Sequence, residues 1–215
     1  MPNYAIVGAS GLIGSCLVDE LLQATNNKIT LISRRSLGLS NSRIHEVIVD
    51  FTNQSALNEA LKGIDAVFIA IGTTQKKMKG DLAAYRKVDY EIPVAVAQAC
   101  VKNNVSKLLL VSSVGADSTS SNFYLRLKGE VEEAVGKMAI PYIGIFQPSL
   151  LLGNRNEFRL GERISQHIMP LFSFAIPSKY KPIAASSVAK TMIFEANSGE
   201  KGVKKYTYID MQHQI

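Results

Sequence analysis

The sequence predicts an α/β protein: a doubly wound parallel sheet with helices on both faces, in a single domain. Three observations carry the prediction. Short apolar segments alternate with helical stretches along the chain, as in successive βαβ units. One of them, 66–71 (AVFIAI), is apolar at every position, as a strand covered on both faces must be. The chain has 215 residues, enough for one full core, and its 47% hydrophobic and 20% charged residues exclude a disordered chain. No repeat, linker or low-complexity tract divides it, so residues 1–215 read as one domain, with 149–183 as a small substrate-side region.

Tyr4, Ala5, Ile6 and Val7 form the first strand. Gly8-Ala9-Ser10-Gly11-Leu12-Ile13-Gly14 follows at once and opens a helix over 12–24, with Leu17, Val18, Leu21 and Leu22 on its apolar face. Strand, glycine-rich turn and helix are the arrangement that holds a dinucleotide pyrophosphate. The spacing is G-x-x-G-x-x-G. Gly8 permits the sharp turn, Gly11 keeps a Cβ out of the pyrophosphate's path, and Gly14 lets the helix approach the sheet. The first-turn N–H groups and the positive end of the helix dipole then face the phosphates. This makes the fold Rossmann-like.

The second strand, 28–33 (KITLIS), ends at Ser33-Arg34-Arg35, where this fold meets the adenosine ribose. An acid there would bond the 2′-hydroxyl of NAD, whereas an arginine accommodates the 2′-phosphate of NADP. Arg34 and Arg35 therefore favour NADP(H) over NAD(H), through planar forks that suit a phosphate. The third strand, 44–49, leads to Asp50 and Phe51. Asp50 either accepts a bond from the adenine amino group, with Phe51 beside the ring, or caps a helix beginning near Asn53 or Ser55. The fourth strand, 66–71, brings Ala70, Ile71, Gly72 and Thr73 to the sheet's carboxyl edge. A polar loop over 76–80 and a helical stretch over 81–102, broken near Pro93, follow.

The fifth strand, 108–111, is entered from Lys107 and runs into Ser112-Ser113, and Ser121 or Asn122 can cap the next helix. On that helix Tyr124 and Lys128, in Y-x-x-x-K spacing, share a face. An ammonium beside a phenol stabilises the phenolate, and such a tyrosine donates a proton to a carbonyl or takes one from an alcohol. A serine at the neighbouring strand end holds the same oxygen. Ser113 is favoured over Ser112 because it lies further past the strand. Lys128 also reaches the nicotinamide ribose. The sixth strand, 142–147, ends at Pro148, and a loop over 149–161 lies above the nicotinamide end. An apolar stretch at 164–172 covers a substrate pocket, a helix spans 186–197, and a last short strand spans 204–209.

The net charge is +6, but the basic residues are scattered, with groups at Arg34-Arg35, at Lys76, Lys77 and Lys79, and at Arg155, Arg159 and Arg163. There is no basic tail and no aromatic interleaving, which argues against a nucleic-acid partner. A phosphate-rich cofactor accounts for part of the excess. Cys16 and Cys100 fall in apolar helical stretches and read as buried free thiols, with no metal-ligand spacing. His167, a lone histidine on the 164–172 stretch, reads as a packed or exposed side chain rather than a catalyst, and His45 and His213 have no acid or ligand partner at a recognisable spacing. No basic leader region, cleavage signal or membrane-spanning run is visible. These features predict a soluble protein without a membrane role, in a reducing compartment, the cytoplasm.

The segments GASGLIG at 8–14, SRR at 33–35, AIGTT at 70–74, VSSVGA at 111–116, YLRLKGEVE at 124–132 and QPSLLLGNRNEFRLGE at 147–162 occur in one order along the chain. In that set it resembles the short-chain dehydrogenase/reductase superfamily, and within it the atypical branch of Tat-interacting-protein-like oxidoreductases. The resemblance implies an NADP(H)-binding domain with Ser, Tyr and Lys as the catalytic trio. The branch usually has Arg-Pro-Gly where this chain reads Gln147-Pro148-Ser149, which weakens any role for an arginine there. The expected activity is NADPH-dependent reduction of a carbonyl, or its reverse. The competing reading is a non-catalytic NADP(H) sensor acting through a protein partner. The chain is expected to be a monomer or homodimer.

Overall fold

The computed structural model describes residues 1–24, 27–73, 80–153 and 177–212. Strands β1 (Asn3–Val7), β2 (Lys28–Ser33) and β3 (Ile44–Ile48) alternate with helices α1 (Leu12–Gln23) and α2 (Gln54–Ala60). Strand β4 (Ala66–Ile69) leads to α3 (Leu82–Arg86), a π-helical turn (Lys87–Glu91) and α4 (Ile92–Lys102). Then come β5 (Lys107–Val111), α5 (Phe123–Gly136), β6 (Tyr142–Phe146), β7 (Leu151–Leu152) and β8 (Ile183–Ala184). Helix α6 (Ala185–Asn197), strand β9 (Gly202–Tyr206) and helix α7 (Tyr208–Gln212) follow.

Seven strands form one parallel sheet in the order β3-β2-β1-β4-β5-β6-β9. The chain winds outward from β1 in one direction, then returns beside β1 and winds outward in the other. Val7 at the end of β1 therefore pairs with Ile32 on one side and Ile69 on the other. The crevice beyond their carboxyl ends is the switch point at which ligands bind in such sheets.

Both faces of the sheet are covered. On one, Ala5, Val7, Val67 and Ile69 pack against Leu57 of α2 and Leu61 just after it, Val96 and Cys100 of α4, and Val131 and Val135 of α5. On the other, Tyr4, Ile6 and Phe68 pack against Ile13, Leu17 and Leu21 of α1 and Val188 and Met192 of α6. Successive strand side chains point to opposite faces, so β4 is buried at every position.

Three helix starts are set by side chains. Asn53 caps α2 on the Ala56 N–H, Asp81 caps α3 on the Ala84 N–H, and Asn122 caps α5 on the N–H groups of Tyr124 and Leu125. Each such cap contributes about 1 kcal/mol. The break expected near Pro93 is a π turn just ahead of it. Proline has no N–H to offer the carbonyl four residues back, and the widened turn pairs the Ile92 N–H with the Lys87 carbonyl instead.

Three expectations are corrected. The last strand was expected over 204–209; it is Gly202–Tyr206, and Tyr208 and Ile209 begin a helix. Thr207-Tyr208-Ile209-Asp210 makes the carboxylate half of a capping box, with Asp210 Oδ2 accepting from the Thr207 N–H at 2.7 Å and from its hydroxyl at 2.8 Å. Cys16 is half-buried rather than buried, while Cys100 is in the core. The loop after Pro148 is not wholly irregular, because β7 pairs with β8 in a second small sheet. The expectations for Lys76, Lys77, Lys79, Arg155, Arg159, Arg163, the 164–172 stretch, His167 and His213 lie outside the described residues.

Candidate functional site

The glycine turn is built by close backbone approach. Gly8 has φ +98°, and a Cβ there would lie 2.7 Å from the Ala70 carbonyl carbon. The turn is thereby pressed against the end of β4. A Cβ on Gly14 would lie 2.0 Å from the Gly8 carbonyl oxygen. Gly14 is needed by the turn itself, not by helix-to-sheet packing as the motif suggested. The Gly11 N–H donates to the Gly8 carbonyl at 2.9 Å, and no side chain caps α1. The first-turn N–H groups of a helix have no partners within it. Gly11, Leu12 and Ile13 line a cleft of about 500 Å³ together with Ala70, Ile71, Gly72 and Thr73. Ala9 is buried in the core beneath the turn, and Ser10 is exposed.

Arg34 and Arg35 follow β2 at the same carboxyl edge, outside the lining of this cleft, and are exposed. Neither forms an ion pair with an acid among the described residues. Asp50 is also exposed, and its Oδ1 accepts from the Thr52 N–H at 2.9 Å and the Thr52 hydroxyl at 2.8 Å. Those bonds, the N–H first, hold its carboxyl below the usual range. It organises this turn, and Asn53 caps the helix. Phe51 is 7% exposed and packs with Val7, Val49 and Leu57. It forms part of the core floor rather than an exposed face for a ring.

The other end of the cleft collects Ser112, Ser113, Tyr124, Lys128 and Pro148, with Asp89, Tyr85, Asn122 and Ser149. The adjacent serines differ. Ser112 is 6% exposed and donates to Glu132 Oε1 at 2.5 Å. Ser113 is half-buried, and its hydroxyl lies 3.4 Å from the Val114 carbonyl, a long contact. Both serines line the cleft, and they differ in that the Ser112 hydroxyl is engaged by a carboxylate. Glu132 also accepts from Gln147 Nε2 at 2.8 and 3.0 Å and pairs with Lys205 of β9 at 2.7 Å. Gln147 is therefore not idle where the branch has arginine: its amide bonds the buried carboxylate, and Lys205 supplies the positive charge.

Tyr124 and Lys128 lie on the cleft-facing side of α5, with Lys128 Nζ 6.0 Å from the Tyr124 ring centre. Lys128 is 6% exposed and its Nζ is 3.0 Å from Asp89 Oδ1. Asp89 Oδ2 accepts from the Thr73 N–H at 2.8 Å. Asp89 is 1% exposed, so this is a buried ion pair opening on the cleft. Desolvation makes such pairs weak contributors to stability; this one fixes the lysine beside the tyrosine and ties it to the end of β4. Sequence reasoning missed Asp89, and the available signal was Pro93. The π turn lies just ahead of the proline, and π turns recur at functional sites.

The model of the family described as NAD(P)H-binding matches residues 8–193. The chain belongs to this NAD(P)H-binding family. It is 34% identical over 165 residues to Protein HTATIP2 of Rattus norvegicus, covering 75% of this chain and 67% of the relative. It is 33% identical over 207 residues to the mitochondrial Protein FMP52 of Candida albicans, covering 93% and 90% of the two chains. These matches place the NAD(P)H-binding family member in the atypical short-chain dehydrogenase/reductase branch. Among solved structures, MoeE5 in complex with UDP-glucose and NAD superposes with a TM-score of 0.72 at 18% identity, covering 95% of this chain and 76% of that one. WbmH of Bordetella bronchiseptica in complex with NAD+ gives 0.74 at 17% identity, covering 96% and 76%. At such identities they show the fold.

The relatives correct one expectation. Several FMP52 proteins similar to this chain are named mitochondrial, which overturns the cytoplasmic placement. The sequence argument rested on an apparent lack of export and membrane signals, which does not distinguish one reducing compartment from another. Among the described residues, no helix is long and apolar enough to cross a membrane, and no cluster of His, Cys, Asp and Glu could hold a metal.

Proposed function

We propose that this chain is an NADP(H)-dependent oxidoreductase acting on a carbonyl or alcohol substrate, with Ser113, Tyr124 and Lys128 as its catalytic residues. The observation that carries the reading is the convergence of those three side chains on the cleft that begins at the glycine turn. The residues present fit the cofactor. An uncapped helix start faces the cleft, no Cβ at Gly11 intrudes on it, and two exposed arginines, with no acid partner among the described residues, follow the end of β2 and suit a phosphate.

The cofactor supplies a hydride in reduction and accepts one in oxidation. Ser113 Oγ donates a hydrogen bond to the substrate oxygen and orients it. Tyr124 donates its phenolic proton to that oxygen as the carbonyl becomes an alcohol, and takes it back in the reverse direction. The Lys128 ammonium stabilises the resulting phenolate and reaches the ribose. Asp89 holds Lys128 in place and balances its charge. Gly8, Ala9, Ser10, Gly11, Leu12, Ile13 and Gly14 form the pyrophosphate turn, and Ala70, Ile71, Gly72, Thr73 and Pro148 line the cofactor path. The names of the FMP52 relatives support a mitochondrial setting.

A screen of carbonyl compounds with NADPH, followed by absorbance, tests the reading. Once a substrate is found, Tyr124→Phe is expected to lower turnover by a factor of roughly 10²–10⁴, the usual contribution of a positioned general acid. Ser113→Ala should also lower it. Unchanged turnover in Tyr124→Phe would refute the assignment. NADPH binding without turnover on any carbonyl or alcohol would favour a sensor.

A further inference from the structure

We propose that Glu46, a residue of the edge strand β3, is a positioning residue that sets the preference for a 2′-phosphorylated cofactor by holding the loop that carries Arg34 and Arg35. The inference rests on the 2′-phosphate reading of those arginines.

The two arginines span a gap between two anchors. On the upstream side, Ser33 is the last residue of β2; its carbonyl accepts from the Val49 N–H at 2.9 Å, and its hydroxyl donates to the Arg35 carbonyl at 2.5 Å. On the downstream side, the chain is pinned by one carboxylate. Glu46 Oε2 accepts from the Ser36 hydroxyl at 2.6 Å and the Leu37 N–H at 3.1 Å. Glu46 Oε1 accepts from the Leu39 N–H at 3.0 Å. Ser36 Oγ accepts in turn from the Gly38 N–H at 3.1 Å, and Leu37 packs against the α1 side of the core.

A carboxylate with three donors is preorganised rather than merely present. The Ser36 hydroxyl, then the Leu39 N–H, hold its carboxyl below the usual range, so it is ionised and accepting at neutral pH. Glu46 leaves the backbone of Arg34 and Arg35 little freedom, and a guanidinium pair held in one geometry loses less entropy on closing around a phosphate. Its own charge is engaged by the loop's N–H and O–H groups. A bare carboxylate at this place would repel a 2′-phosphate; this one aims the groups that attract it.

The test is a fluorescence titration with NADPH and with NADH at fixed salt. The proteins are wild type, Glu46→Gln, Glu46→Asp, the double variant Arg34→Ala/Arg35→Ala, and that double variant combined with Glu46→Gln. A glutamine cannot accept through its amide nitrogen, and an aspartate keeps the charge but is one methylene short. Both single variants are expected to weaken NADPH binding about tenfold through loss of charge-assisted bonds, while NADH binding stays within about twofold. Glu46→Gln should add nothing once both arginines are gone. Equal loss for NADPH and NADH, no loss for either, or tighter NADPH binding by Glu46→Gln would overturn the positioning role while the arginine reading stands. If the arginine double variant binds NADPH as wild type does, the 2′-phosphate reading fails, and the role of Glu46 with it.

Discussion

Ser112 and Ser113 are the same residue type at one strand end and both line the cleft, yet the Ser112 hydroxyl is bonded to Glu132 while that of Ser113 makes a long contact to the Val114 carbonyl. Their doublet could be read from sequence; their division could not, because Glu132 comes from another element. Tyr124 and Lys128 were legible because their relation is local, fixed by helical spacing. Cys100 supplies a prediction at this scale. Burial pushes its thiol from 9.0 up to about 12. Above pH 9 the unfolded chain would therefore bind fewer protons than the folded one, and stability falls as pH rises toward 12. The slope reaches about 1.4 kcal/mol per pH unit. Urea denaturation at about pH 8 and about pH 10 should show a smaller loss in Cys100→Ala than in wild type, by about 1.4 kcal/mol. Equal losses would mean that the thiol ionises in the folded core. The buried phenols of Tyr142 and Tyr206, whose ionisation burial also opposes, contribute to both proteins alike.

At the scale of elements, the loop from Ser113 to Asn122 is fastened to α5. The Asp117 N–H donates to the Leu125 carbonyl at 3.1 Å, and the Ser118 hydroxyl bonds Glu133. Gly129 makes this possible: a Cβ there would lie 2.1 Å from the Ser118 nitrogen and 2.3 Å from the Asp117 carbonyl carbon. Gly129→Ala must push the loop away from the helix that carries Tyr124 and Lys128. It is expected to cost about 2 kcal/mol in denaturant unfolding, as overpacking does. Gly199→Ala, where a Cβ meets nothing within 4 Å, should stay within about 0.5 kcal/mol of wild type. Similar effects in the two variants would refute the packing argument. Strand and helix order was legible because apolar periodicity reports it. The π turn, the closing capping box and the β7–β8 pair were not identified. The turn needs the proline's effect on a carbonyl upstream, the box is a short polar signal inside a strand-like run, and two-residue strands leave no period to read.

On the scale of the whole molecule, the reversal of strand order between β1 and β4 creates the crevice, and the glycine turn, the arginines and the Ser–Tyr–Lys group all lie along that carboxyl edge. The sheet and its crevice were legible because parallel connections admit few topologies. The Lys128–Asp89 and Glu132–Lys205 pairs were not, since each joins residues distant in sequence. The most direct measurement is a fluorescence titration of the intact protein with NADPH and separately NADH, repeated on Arg34→Ala. The account predicts saturable NADPH binding, tighter than NADH binding, and a selective loss of the difference in Arg34→Ala. Equal affinity for the two cofactors, unchanged by the substitution, would contradict the 2′-phosphate assignment, and failure to bind either would contradict the cofactor cleft itself.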